Sequence, residues 1–167
     1  FLKRMGELGF LGLGYPEEYG GTGPDILGWV VLAEELGRST YAGVAGVATV
    51  HTFMAGPHLM HAGSPAQLEK YLPKVISGEL MTAIAVSVAG AASDVGAMRT
   101  KARKDGDYWI IDGSKFWISN GLHADLYFVA ARTDPDAKGA KGISMFIVEK
   151  GTPGFRIGQK IEKLGFR

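Results

Sequence analysis

Trp117 and Ser119 place a flat aromatic surface and a hydroxyl two residues apart near the end of an alternating stretch. On a β-strand, residues at that spacing share a face, so the pair could present a ring and a hydrogen-bond donor to one flat heteroaromatic guest. The bland alternative is a core tryptophan followed by a turn serine, since buried aromatics are common. Upstream, GAASDVG is a loop of tiny residues whose backbone amides can approach a ligand closely. Ser93 and Asp94 add a hydroxyl and a carboxylate there, which suits an anion or the edge of a heterocycle.

Other reactive types carry less. Glu17 and Glu18 are adjacent acids beside Pro16, the pattern of a solvated turn rather than a catalytic pair. His51, His58 and His61 could share a helical face as metal ligands. Pro57 interrupts that stretch and no nearby acid completes a set, so backbone partners are expected and no metal. His123 reads as a turn residue. Lys138 and Lys141, in the polar loop TDPDAKGAKG, could meet a phosphate or solvent.

These groups need a scaffold, and the hydrophobic period supplies it in two parts. Residues 1–80 read as helices: FLKRMGELGF without an initiating cap, which suggests an upstream segment, then DILGWVVLAEELGR starting near Asp25 and ending near Gly37. Tyr41 to Ala62 reads as a buried helix packed by small residues. The next helix opens with Ser64 as N-cap, Pro65 at the first position and Gln67 completing a capping box, and Pro73 is expected to end or kink it. From Met81 the period becomes two, with strands expected at 82–88, 99–104, 107–112, 115–118, 125–132, 143–149 and 155–159. Asp105-Gly106 marks a hairpin turn and Asp112-Gly113 a second turn. The expected fold is therefore α+β, a helical domain over 1–80 followed by an antiparallel β-barrel-like domain over 81–167.

Composition excludes several classes. The 167 residues carry a formal net charge of +1, so no global electrostatic argument points to nucleic acid, a membrane or an acidic partner, and no nucleic acid is expected. No cysteine is present, so disulfides, thiolate nucleophiles and cysteine-metal sites are absent. No apolar run of about 18 residues offers a membrane span, and no signal-peptide pattern opens the chain.

The segments GFLGLGYPEEYGGTG, AEELGR, GDYWIIDGSKFWISNG, ADLYFVAARTD and KGISMFIVEKGTPGFRIGQKIEKLGFR, taken together and in this order, resemble the acyl-CoA dehydrogenases. The resemblance implies FAD as cofactor, an acyl-CoA thioester as substrate, α,β-dehydrogenation as the reaction, an electron-transfer acceptor, a homo-oligomer, and a cytoplasmic or mitochondrial-matrix location. It implies that Ile84, Ala85, Val86 and Ser87 run along the flavin, that Trp117 stacks on it, and that Ile118 and Ser119 border its edge. Ser93 would contact both cofactor and acyl-CoA, and Lys141 the CoA. In the family the catalytic glutamate lies in a C-terminal helical bundle that this chain does not contain, so no catalytic base is expected here and the chain alone should be inactive, with an apolar surface exposed where a bundle would pack. One departure stands out: the family's Thr-Glu-Pro-Gly-x-Gly-Ser-Asp is replaced by Ser87, Val88, Ala89, Gly90, Ala91, Ala92, Ser93 and Asp94. A homologue that holds acyl-CoA or a partner without redox chemistry is the alternative that this change raises.

Overall fold

The computed structural model describes residues 1–90 and 93–163. Five α-helices come first: α1 (Leu2–Glu7), α2 (Ile26–Arg38), α3 (Ala42–Thr49), α4 (Gly56–Ala62) and α5 (Pro65–Ile76). Asp25 caps α2, its carboxylate accepting from Gly28 N–H at 2.9 Å. Only Leu32 of α2 is fully buried, and Ile26, Leu27, Val30 and Val31 face outward, so the helix presents an apolar face as well as burying one.

The stretch expected to form one helix from Tyr41 to Ala62 is three helical pieces. A π-helical segment, Val50–Ala55, joins α3 to α4, and Gly56 N–H reaches back five residues to His51 O. Pro57 gives the reason: it has no N–H to offer Phe53 O, and its ring crowds that carbonyl, so the preceding turn widens. Burial is concentrated from Ala48 to Leu59, while Tyr41, Ala42 and Val44 are exposed.

The capping box of α5 forms as expected. Ser64 Oγ accepts from Gln67 N–H at 3.3 Å and Gln67 Oε1 accepts from Ser64 N–H at 2.9 Å. We expect Ser64→Ala to cost about 1 kcal/mol, seen as a lower urea midpoint at unchanged slope. Pro73 does not end the helix, which continues to Ile76. Pro73 and Glu69 lie on the exposed side, so the carbonyl left unbonded faces water, while Leu72, Val75 and Ile76 remain buried.

The sheet corrects the barrel expectation. Its five strands are β1 (Thr82–Ala85), β2 (Lys101–Asp105), β3 (Tyr108–Asp112), β4 (Leu126–Arg132) and β5 (Ile143–Glu149). They run in the order β1-β4-β2-β3, with β5 also on β4. β1 and β2 pair with β4 in parallel, whereas β2–β3 and β4–β5 are antiparallel, so the sheet is mixed and open. Strand direction is invisible to a period-two pattern, and the long excursion between β1 and β4 returns the chain in the same direction. β4 is the central strand, buried at each residue from Leu126 to Ala131, which its nearly continuous apolar run anticipates.

The β2–β3 hairpin turns at Gly106 and Asp107, one residue later than Asp105-Gly106, because Asp105 pairs with Tyr108. Gly106 has φ +60° and Asp107 does not share the positive φ, the pattern of a II′ turn. Strands expected at 115–118 and 155–159 do not form, and β1 stops at Ala85, with Val88 making only an isolated bridge. Gly113 (φ +143°) bends the chain against Thr100, whose Cα would lie 2.9 Å from any Cβ there, and this breaks the alternation before residue 115.

Helices and sheet share a core. Leu59, Leu72, Val75 and Ile76 pack with Leu126 and Phe128 of β4, while Ala83, Ala85, Tyr127 and Val129 line another face of the sheet. His51 pins the layers together. Its ring nitrogens meet Val75 O at 3.0 Å and Thr82 N–H at 3.1 Å, so Nε2 donates and Nδ1 accepts. Burial holds this imidazole below its ordinary pKa.

Candidate functional site

β1 leads out through Val86 and Ser87, and the chain after β3 returns beside them. Phe116 N–H donates to Ser87 O at 3.0 Å, and Lys115 Nζ donates to Val86 O at 3.0 Å. These two bonds hold the β1 exit against residues 115–117. Beside them lies a 190 Å³ hollow lined by Val88, Ala89, Arg99, Thr100, Gly113, Ser114 and Phe116.

Trp117 is not on a strand, so the shared-face argument for Trp117 and Ser119 fails. Its φ is +59°, and its ring is 63% exposed. A bulky residue seldom adopts a left-handed backbone, and a strained, exposed tryptophan is the reverse of a core one. Ser119 sits in a turn that closes with Gly121 N–H to Ile118 O at 3.0 Å, and its hydroxyl makes no hydrogen bond among the described residues.

The remaining expected site residues separate by environment. Ile84 packs on the helical core, Ala85 is buried in the sheet, and Ile118 packs against the cluster of Ala83, Ala85, Ala124, Tyr127 and Val129. Their side chains support the site rather than line it. Val86 and Ser87 offer backbone, with their carbonyls already engaged. Ser93 is exposed at a bend and Lys141 is exposed in the 3-10 turn Gly139–Gly142. Of the positions where the loop departs from the family pattern, Val88 and Ala89 are described, whereas Ala92, with its neighbour Ala91, lies outside the described residues.

Three residues passed over in the sequence organise this region. Asn120 (φ +64°) donates through Nδ2 to Val47 O at 3.2 Å and Thr82 O at 3.1 Å, anchoring the turn to α3 and β1. Arg132, at the end of β4, donates to Gly96 O at 2.7 Å, Ala137 O at 3.3 Å and Gly139 O at 3.3 Å. It thereby ties the turn after Ser93 to the loop holding Lys141. Gly96 and Gly139 permit this approach, because a Cβ on Gly96 would lie 3.2 Å from Gly139 Cα. The third is Lys115: burial pulls its ammonium pKa down to about 8. The Asn-Gly dipeptide at 120–121 was the one sequence signal for any of the three.

The histidines do not gather. His51 is engaged as above and His58 lies against Phe128, with ring centroids 6.4 Å apart. Among the described residues no group of three or more His, Asp or Glu could hold a metal ion. Glu17 and Glu18 are exposed in a single 3-10 turn. A larger hollow of 390 Å³ involves other residues, and there Glu149 is already paired with Lys70 at 2.8 Å and Tyr71 at 2.6 Å.

An irregular loop thus carries an exposed aromatic on a left-handed backbone and is stapled to a strand exit. Residues 1–79 match the acyl-CoA dehydrogenase N-terminal domain and residues 83–167 the acyl-CoA dehydrogenase middle domain. This chain belongs to the acyl-CoA dehydrogenase family. It is 46% identical over 169 residues to the mitochondrial isovaleryl-CoA dehydrogenase of Pongo abelii, matching 100% of this chain and 40% of that protein. The crystal structure of an acyl-CoA dehydrogenase from Geobacillus kaustophilus superposes with TM-score 0.90 at 45% identity, over 98% of this chain and 43% of that one. A structure of PigA with FAD and proline superposes with TM-score 0.92 at 31% identity, over 97% and 42%. The chain spans about 40% of the length of the relatives it matches. Among the described residues no helix is long and apolar enough to cross a membrane.

Proposed function

We propose that this chain forms the flavin-facing part of an FAD-dependent acyl-CoA dehydrogenase. The observation that carries the reading is Trp117, a residue 63% exposed on a left-handed backbone, directly after the two residues tied to the β1 exit. Strain of this kind persists where surrounding structure enforces it, and here Lys115, Phe116 and Asn120 supply the anchors. The residues present fit FAD. Trp117 offers a stacking face, Val86 and Ser87 a close backbone edge, and Ser119 an uncommitted hydroxyl donor. PigA, a structural neighbour, is described with FAD.

Bound FAD would supply the hydride acceptor for oxidation of an acyl-CoA between its α and β carbons. This chain's residues bind, orient and exclude water, and the base comes from outside residues 1–167. Ser119 would donate where negative charge grows on reduction. Ser93 and Lys141 would face the CoA moiety, brought into register by Arg132. The proposal extends to a helical unit over 1–80 and a β unit over 81–167, a homo-oligomer, an electron-transfer protein as acceptor, and a cytoplasmic or, in a eukaryote, mitochondrial-matrix location.

The test is the visible spectrum of the full-length protein that carries this chain. It should purify yellow, and Trp117→Ala should weaken FAD retention about fivefold, equivalent to the ~1 kcal/mol of a lost aromatic stacking contact. A protein that stays colourless after incubation with FAD overturns the reading in favour of a non-redox homologue.

A further inference from the structure

Lys115 spends its side chain in an unusual way. Lysine normally runs its methylenes over apolar surface and leaves the ammonium in water. Here the side chain turns inward, and Nζ meets Val86 O at 3.0 Å and Met98 Sδ at 3.4 Å. An ammonium has three donors; the carbonyl satisfies one, the thioether is a weak acceptor, and among the described residues there is no other acceptor. Among the described residues no carboxylate pairs with it. Burial without a counter-charge is the cause of its depressed pKa.

A half-buried cation lacking an anion costs stability, and a methionine or leucine would fill the same space more cheaply. Its position suggests what offsets the cost. Lys115 bridges the two segments of the candidate site, next to the parallel tie from Phe116 N–H to Ser87 O at 3.0 Å. Removing the amine would leave Val86 O without that donor and would take from the site a positive charge held at a defined place.

We propose that Lys115 is an electrostatic positioning residue of the flavin site, which clamps the Val86–Ser87 edge against Phe116–Trp117 and supplies an uncompensated positive charge favouring the more anionic, reduced state of the cofactor. This rests on the FAD reading above. Two roles are contained in it, and two substitutions separate them. Lys115→Gln keeps an N–H donor for Val86 O but removes the charge. Lys115→Met removes both, whereas Lys115→Arg keeps both.

The experiment is reductive titration of FAD in the full-length protein and in these variants, together with FAD retention on dilution. Lys115→Gln should retain FAD within about twofold of the parent. Its ratio of affinities for reduced and oxidised FAD should fall about tenfold, a drop of about 30 mV in the two-electron midpoint potential. Lys115→Met should show the same drop and also release FAD more readily. Lys115→Arg should hold the parent potential. If Lys115→Met fails to fold, Gln and Arg decide the matter by themselves. A flavin-bearing parent whose potential is unchanged in Lys115→Gln overturns the electrostatic role alone, whereas a parent that binds no FAD overturns the functional reading beneath it.

Discussion

His51→Leu is expected to destabilise the chain by about 3 kcal/mol and to remove much of its sensitivity to mild acid. The imidazole is fully buried and joins the π segment, α5 and β1. Leucine fills much of the volume but leaves Thr82 N–H without its side-chain partner and Val75 O with Gly78 N–H alone, at 3.1 Å, and a buried unsatisfied group costs roughly 1–3 kcal/mol. The pH effect follows from the direction of the shift. Burial lowers the folded-state pKa, so the unfolded chain takes up the proton more readily. The contribution of His51 is therefore fully present above the ordinary histidine value of about 6.5 and is lost as pH falls below it. His58 is shifted in the same direction by burial and by His61, so some slope remains in the variant. Urea unfolding at pH 7.5 and 5.5 compares the two chains, and an equal pH slope in both would assign the acid response elsewhere.

Arg132→Gln should loosen two loops together. The guanidinium bonds Gly96 O on one loop and Ala137 O and Gly139 O on the other, and bonds from a charged donor contribute about 1.5–3 kcal/mol each. Faster amide exchange is expected at 94–97 and 137–142, with little change in β4 itself. Under the proposed function, the KM of the full-length protein for acyl-CoA should rise while kcat changes less, because Ser93 and Lys141, proposed to face the CoA moiety, lose their mutual register. Arg132→Lys keeps the charge without the planar fork and should not rescue. Parent-like exchange and KM in Arg132→Lys would mean that the fork is incidental.

The elements that local pattern dictates were legible. The Ser64 capping box, the start of α2 beside Asp25, the β2–β3 hairpin, the bounds of β5 and, to within one residue, those of β4 follow from turn chemistry and period, and the structure has them. What failed was decided by contacts far apart in the chain. Gly113 must pass close to Thr100, and that approach, not the alternation of KFWIS, sets the path of residues 115–119. Trp117 was singled out for its ring on a mistaken geometry: the ring is presented by a positive φ rather than by strand pleating. Lys115 and Arg132 gave no signal in the sequence because their acceptors are backbone carbonyls, on which no residue type advertises itself.

The central place of β4 has a consequence for the order of folding. Thr82 pairs with Leu126, and Lys101 with Arg132, so β1 and the β2–β3 hairpin both wait for a strand made much later. Helices α1–α5 and the hairpin can close on local contacts, whereas the mixed sheet requires long loops to close first. On a ribosome adding about 5–20 residues per second, β1 would be left with an unpaired edge for a few seconds. Its shortness, four residues of Thr, Ala and Ile, limits what a stray strand could gain by pairing with it in that interval.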